Sequence, residues 1–317
     1  MRSFRNTPLA GALAMASFAL FLSMAPSASR AGDQTVLSTQ GTAIAVTPKT
    51  GSARSEKLAS YYHGMEKRLV SSGHLRRDRN PGKLSPDGLA RDFMAIAMKS
   101  EYSLKAGGMA RSGQSSALRR WEQPVRIGVK FGASVGAEQR KADMAALRDI
   151  AARLQRASGH PVQLASSGAN FHILILNDDE RAAARPVLEE VAPRMSRAAR
   201  KAVLGMTADT LCMAVAMPGP SPADGYRNAL AIVRAEHSPV MRRSCMEEEL
   251  AQGMGLANDS PEAWPSIFND DEEFGVLTRH DELLLKMLYH DSLHPGMSAG
   301  AVSGQIGALA RKVLASG

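Results

Sequence analysis

Residues 245–260, CMEEELAQGMGLANDS, decide how this chain is read. At about 100° per residue, a helix through this stretch puts Met246, Leu250 and Met254 on one face and Cys245, Glu248, Glu249 and Gln252 on the other. The first face is suited to a core. The second carries two carboxylates and an amide about one turn apart and would line whatever cleft the fold presents. Gly255 allows a turn with positive φ, after which Asn258 and Asp259 return toward the same site. A plainer reading competes with this one: Glu247, Glu248 and Glu249 form an acidic face in the first turns of a helix, while Gln252 and Asn258 hold the following loop by hydrogen bonds.

The residues upstream supply a sheet for such a helix to pack on. VRIGVKF at 125–131 alternates apolar and polar residues as a strand does, and VQLA from Val162, NFHILIL at 170–176, LCMAVAM at 211–217 and ALAIVRA at 229–235 read as further strands. Between the first two, Met144, Leu147, Ile150, Ala151 and Leu154 form one stripe of a helix over 137–157, with Gly159 just past its end. Residues 180–205 are helical but contain Pro186 and Pro193, which predicts two short helices. A last helix is expected around 281–289.

Nearer the N-terminus, Leu58, Tyr61, Tyr62, Met65 and Leu69 follow helical spacing up to Gly73. Ser85 before Pro86 starts a second helix, expected to run to about Tyr102. KAGGMARSGQSS at 105–116 is rich in Gly and Ser and reads as a linker. Arg76, Arg77 and Arg79 read as a solvated face or linker. The chain therefore divides into a signal peptide (1–31), a flexible leader and helical extension (32–116) and a main domain (117–317), the leader holding at most a short strand at 43–46.

The signal peptide rests on Arg2 and Arg5 ahead of an apolar run at 9–25, with Ser29 and Ala31 at the two positions that a signal peptidase inspects. Cleavage is expected after Ala31, leaving a periplasmic or secreted protein; the membrane would be met only through an uncleaved signal segment. The formal charge of +8 loses Arg2, Arg5 and Arg30 with the leader, and what remains is scattered among acids, which excludes a nucleic-acid footprint. With 44% hydrophobic and 22% charged residues the rest is an ordinary globular chain. In an oxidising compartment the two cysteines, Cys212 and Cys245, make a disulfide the default, with two buried thiols or a two-thiolate metal site as alternatives. Among the eight histidines only His290 and His294 lie four apart, beside Pro295 at a helix end, and no serine sits in a GxSxG elbow.

Two resemblances follow from these residues. The stretch from Cys245 resembles the active-site helix of metzincin-type zinc peptidases, whose motif is HExxHxxGxxH. Aligning Gly255 with the motif glycine puts Glu248 and Gln252 at the two helical ligand positions, Glu249 at the general base and Asn258 at the third ligand, with every histidine missing. Downstream, SIFN at 266–269 is similar to the turn beneath the metal, Phe268 standing where those peptidases have methionine, and LTRHDELLLKMLY at 277–289 is similar to their closing helix. More closely, FMAIAMKSEY from Phe93, RRWEQPVRI from Arg119, NFHILIL, EEELAQGMGLANDS, SIFNDD and LTRHDELLLKMLY resemble a family of exported bacterial proteins called domain of unknown function 2927. That resemblance implies no activity.

The expectation is an α+β fold with a metzincin-like mixed sheet packed against two long helices, behind a helical extension. Its cleft would be formed by Glu248, Glu249, Gln252, Asn258, Asp259 and Phe268. One carboxylate and two amides suit zinc poorly, so neither metal nor cofactor is expected. Binding of a peptide or an envelope protein, or a structural role, is the leading reading. The alternative is a hydrolase using carboxylates or an unusual metal, with Glu249, Glu248 and Asp259 as the catalytic candidates.

Overall fold

In the computed structural model, which describes residues 51–105, 108–269 and 271–316, the chain opens with two side-chain-capped helices. The expected signal peptide and the leader up to residue 50 lie outside the described residues. Ser52 accepts a hydrogen bond from the Ser55 N–H to start α1 (Ala53–Ser71), and Ser85 caps α2 (Pro86–Ile96) with proline in its first turn. The second helix stops short of Tyr102. The chain turns instead into β1 (Lys99–Lys105), which pairs antiparallel with β2 (Gly108–Ser115). The Gly- and Ser-rich stretch expected as a linker is thus a hairpin arm, ordered by backbone pairing rather than by an apolar side-chain pattern.

The sheet follows. β3 (Val125–Phe131) leads to α3 (Ala137–Ser158), which ends at Gly159 in the left-handed region. β4 (Val162–Leu164) and β5 (Phe171–Leu176) come next. Three short helices then occur where two were expected: α4 (Asp178–Ala182), α5 (Arg185–Val191) and α6 (Arg197–Leu204). The first is an extra turn nucleated by Asn177, whose side chain and that of Glu180 form a reciprocal capping box. β6 (Cys212–Pro218) and β7 (Tyr226–Arg234) form a hairpin, and α7 (Pro239–Met254), α8 (Arg279–Leu288) and α9 (Ala299–Ala315) complete the chain.

The strands are ordered β4-β3-β5-β7-β6, parallel except for β6, so the molecule is an α+β protein with a mixed five-stranded sheet. The period of two along β5 separates the layers. Phe171, Ile173 and Ile175 point into a core with Leu147, Leu154, Leu250 and Met254, while Leu174 and Leu176 meet Leu188 and Val203 on the other face. Leu89, Phe93 and Ile96 of α2 lie in the first of these cores, as do Val302, Ile306 and Val313 of α9. α9 is an addition to the sequence expectation, although Ser298 as its cap and the spacing of those residues were signals for it.

Several constraints fix α7. Cys245 is bonded to Cys212 on β6, with Cα atoms 5.9 Å apart. Gly253 lets the helix approach the sheet, since a Cβ there would come within 2.3 Å of the Phe171 ring, and its carbonyl accepts the Trp121 indole N–H at 2.7 Å. At Gly255, with φ of 125°, a Cβ would meet the Arg119 carbonyl at 2.4 Å, so helix termination here requires glycine. The N-terminus of α7 has no cap from its own Ser238 side chain; Glu66 of α1 accepts from the Met241 N–H at 2.9 Å and from the Ser238 hydroxyl.

Glu247 is fully buried and fully used. It accepts two hydrogen bonds from Arg79, one from Arg243 and one from the Leu277 N–H, all between 2.8 and 3.0 Å. Two of the three arginines expected on a solvated face are therefore engaged: Arg79 is half-buried on Glu247, and Arg76 pairs with Glu273 and lies over the Phe274 ring, while Arg77 is exposed. Downstream, Asp281 closes the capping box of α8 with Thr278 and accepts from Ser266 Oγ at 2.6 Å and the Ile267 N–H at 3.1 Å, tying the turn at 266–268 to that helix.

Two stability measurements check this account. Replacing both cysteines with serine opens a covalent loop spanning 33 residues, and chemical denaturation should register a loss of about 3 kcal/mol. Gly253→Ala forces overpacking against Phe171 and should cost about 1–3 kcal/mol, whereas Gly304→Ala, at a helical position with open space around it, should stabilise by about 0.5–1 kcal/mol. Equal effects from the two glycine variants would contradict the close approach of α7 to β5.

Candidate functional site

The polar face of α7 borders a cavity of about 320 Å³. Ser244, Cys245, Glu248, Glu249 and Gln252 come from the helix, and residues 209–213, leading into β6, form the facing wall. Asp259, Ile267, Asn269 and Glu272 arrive from the loop after Gly255, and Glu101 from β1. The last is placed by the Glu101 N–H, which donates to the Ala257 carbonyl and lays the hairpin against that loop. Among the described residues lining the cavity six are acids, Glu101, Asp209, Glu248, Glu249, Asp259 and Glu272, and none is a lysine, arginine or histidine.

Such a concentration of one sign perturbs its members. Glu248 is pushed well above the usual carboxylate range by burial, then by Asp259, Glu249, Glu272 and Glu101. Glu249 moves the same way, by burial and then by Glu101 and Asp259, against a hydrogen bond with the Ala214 backbone that favours its charged form. Glu249 is only 3% exposed, and its Oε2 has no hydrogen-bond partner among the described residues. Asp259 is differently placed, because Gln252 Nε2 donates to its Oδ1 at 3.0 Å.

The residues expected in the cleft therefore divide. Glu248, Glu249, Gln252 and Asp259 meet at the cavity. Asn258 serves the loop: its amide donates to the Ala95 carbonyl at the end of α2 and to the Asp259 carbonyl. Phe268 is fully buried in the core, and its carbonyl accepts from the Ser260 N–H. Of the three residues aligned with the ligand positions of a zinc motif, Glu248 and Gln252 line the cavity and Asn258 does not. Among the described residues no three His, Cys, Asp or Glu side chains are gathered so as to hold a metal ion.

Glu101, Asp209, Asn269 and Glu272 join the site without having been expected there. Glu101 was assigned to the end of a helix, and only the hairpin turns it inward. Glu272 directly follows the SIFNDD stretch, and its positive φ of 60° was invisible to side-chain patterning. Asp209 precedes β6 and reaches the cavity because the antiparallel edge strand runs alongside α7.

His237 sits behind the site, fully packed, with Nδ1 3.7 Å from Cys245 Sγ. Burial, then Arg234 and Arg242, push its pKa down to about 3, which keeps the ring neutral. It does not line the cavity. His280 is equally buried, and although burial opposes it, the Asp281 and Asp92 carboxylates raise its pKa to about 9; with Nε2 3.0 Å from Asp92 it ties α8 to α2.

Neither the curated proteins nor the solved structures contain a match to the chain. A family model, described as a protein of unknown function (DUF2927), matches residues 86–308, from the first residue of α2 to within α9, and so includes every element that lines the cavity. The chain belongs to the DUF2927 family.

Proposed function

We propose that this chain is an exported binding protein that receives its ligand in the acid-lined cavity beside α7. The observation that carries this is Glu249, a buried residue of the cavity lining whose Oε2 has no hydrogen-bond partner among the described residues. An unsatisfied buried polar atom costs about 1–3 kcal/mol. A fold tolerates that cost where a ligand supplies the missing partner. We read the residues at 248, 252 and 258 as those of a metallopeptidase-like cleft whose chemistry has been replaced, with Gln252 committed to Asp259 and Asn258 to the backbone. Export fits the Cys212–Cys245 bond, since disulfides persist in oxidising compartments. It also fits the apolar N-terminal segment read as a signal peptide, with the periplasm or the medium as destination. Among the described residues no helix is long and apolar enough to cross a membrane. A peptide or an envelope protein is the natural class of partner for such a cleft.

A second reading has its own observation. Glu248 and Glu249 are held above the ordinary carboxylate range in the same cavity as Asp259. A protonated carboxyl near an ionised one is the material of general acid and base catalysis, and hydrolysis of a bound peptide or glycan is the reaction it would serve.

Glu249→Gln separates these readings because it keeps the shape and removes the charge. In a thermal-shift screen against peptides, amines and oligosaccharides, a ligand of the cavity should raise the melting temperature of the native chain by several degrees and leave the variant unmoved, with the ligand recovered intact. Recovery of cleaved ligand, lost in the variant, would establish the hydrolase instead. Hits that shift both proteins equally would remove the cavity from the account.

The same carboxyl sets a pH dependence. Its folded-state pKa lies above the unfolded value, so Glu249 costs nothing below the ordinary carboxylate range and destabilises the empty protein progressively as the pH rises through the folded value. Melting temperatures between about pH 5 and about pH 8 should therefore fall more steeply for the native chain than for Glu249→Gln. Parallel curves would mean that Glu249 is not perturbed in the folded state.

A further inference from the structure

Taking the cavity as the binding site proposed above, we infer that α1 is a releasable strap that fastens the two walls of the cavity at one end, so that its undocking opens that end. There the cavity is lined by residues 209–211 from one wall and by Met241, in the first turn of α7, from the other. α1 holds both. The Tyr62 hydroxyl donates to the carbonyl of Ala208, the residue before Asp209, at 2.8 Å. One helical turn later Glu66 accepts from the Met241 N–H at 2.9 Å and from the Ser238 hydroxyl. Positions four apart share one side of a helix, so a single face of α1 reaches from wall to wall.

The seat of α1 favours release. Of its 19 residues only Ser55 and Tyr62 are buried, and polar contacts hold it where an apolar stripe would otherwise do so. Arg54 reaches Asp178 with a side chain that is 69% exposed, and ion pairs of that kind add little. Ser55 Oγ donates to Glu236 Oε1 at 2.7 Å. Glu236 Oε2, however, is buried without a hydrogen-bond partner among the described residues, and so is Nε2 of His237, whose ring Tyr62 meets edge-on. Each such atom lowers what docking contributes. A groove of about 510 Å³ also separates part of α1 from Ala208.

The chain supplies a pivot. α1 ends at Ser71, Gly73 follows with φ of 84°, and from Leu75 onward the extension is pinned: the Leu75 N–H donates to the Glu272 carbonyl at 2.8 Å, and Arg79 lies on Glu247. α1 can swing about residues 72–74 while the rest stays in place. The Cys212–Cys245 bond joins the same two walls further along and confines the opening to the end that α1 fastens. Arg234 lies over the Tyr62 ring and donates to the Thr207 and Thr210 carbonyls, so undocking also alters a support of that wall. Every residue that lines the cavity falls within 86–308, and α1 precedes that span. The cavity is therefore assembled without the strap, whose part is access.

The disulfide in the lining allows a test that needs no ligand. Dithiothreitol, a small neutral dithiol, should reduce the Cys212–Cys245 bond of the full chain slowly under native conditions, and about tenfold faster in a variant combining Tyr62→Phe with Glu66→Ala, which removes both fastenings. Hydrogen exchange in that variant should quicken over residues 207–211 and 239–244 and leave α3 as protected as in the native chain. An unchanged reduction rate would overturn the strap. Faster reduction with an equal loss of protection in α3 would overturn it too, because the whole fold would then have been loosened. If the double variant fails to fold, the native chain decides: α1 should exchange by local opening, well ahead of α3, and exchange of α1 only together with α3 would refute the inference. Faster reduction alongside an empty thermal-shift screen would keep the strap and remove the binding role. A Glu249-dependent ligand with unaccelerated reduction would do the reverse.

Discussion

A buried charge must be matched where it lies, and in this protein Glu247 imposes that demand on three separate segments. Its carboxylate is sealed from solvent and takes its hydrogen bonds from Arg79 of the N-terminal extension, Arg243 of its own helix and the backbone at Leu277 ahead of α8. Removing one partner of such a group is strongly destabilising, because the charge that remains has no water to turn to. The arrangement therefore sets the rotation of α7 about its axis. Once Glu247 faces the arginines, helical geometry carries Glu248 and Glu249, its neighbours in sequence, round to the opposite wall. Three consecutive glutamates thus have two functions.

The disulfide and the close approach at Gly253 complete the seat of this helix. One fixes α7 laterally to the edge strand, and the other sets its height above β5. Glu66 holds its first turn from α1, and Asp281 holds the turn at 266–268 against α8. A helix so constrained can keep several like charges along one side without swinging away from them. Glu248 and Glu249 are held above the usual carboxylate range, by burial first, and Gln252 gives an amide hydrogen bond to Asp259.

Much of the fold was legible from residue pattern, because strands and amphipathic helices write their burial into periods of two and of 3.6 residues. The five strands of the sheet, the helix at 137–157 and the two-sided helix through Glu248 were read in this way. What escaped was structure set by backbone pairing or by distant partners. Gly108–Ser115 has no apolar period and becomes a strand only through its hairpin with β1. Arg79 resembles any surface arginine until Glu247 is known to lie beneath it. The cavity was half legible for the same reason. Glu248, Glu249, Gln252 and Asp259 share one helix and its turn, while Glu101, Asp209 and Glu272 reach the site through long-range topology that no local motif records.

The separate origins of those acids bear on how such a site can change over time. Glu101 stands on a hairpin, Asp209 on an approach to an edge strand, and Glu272 on a loop, whereas of the residues that bear the frame Glu247, Gly253 and Asp281 lie outside the cavity lining and only the Cys212–Cys245 bond borders it. Charge at the rim can be gained or lost one position at a time without disturbing the scaffold. Relatives sharing this architecture are therefore free to differ in what they hold, and divergence among them should concentrate in the rim while the supports of α7 stay fixed.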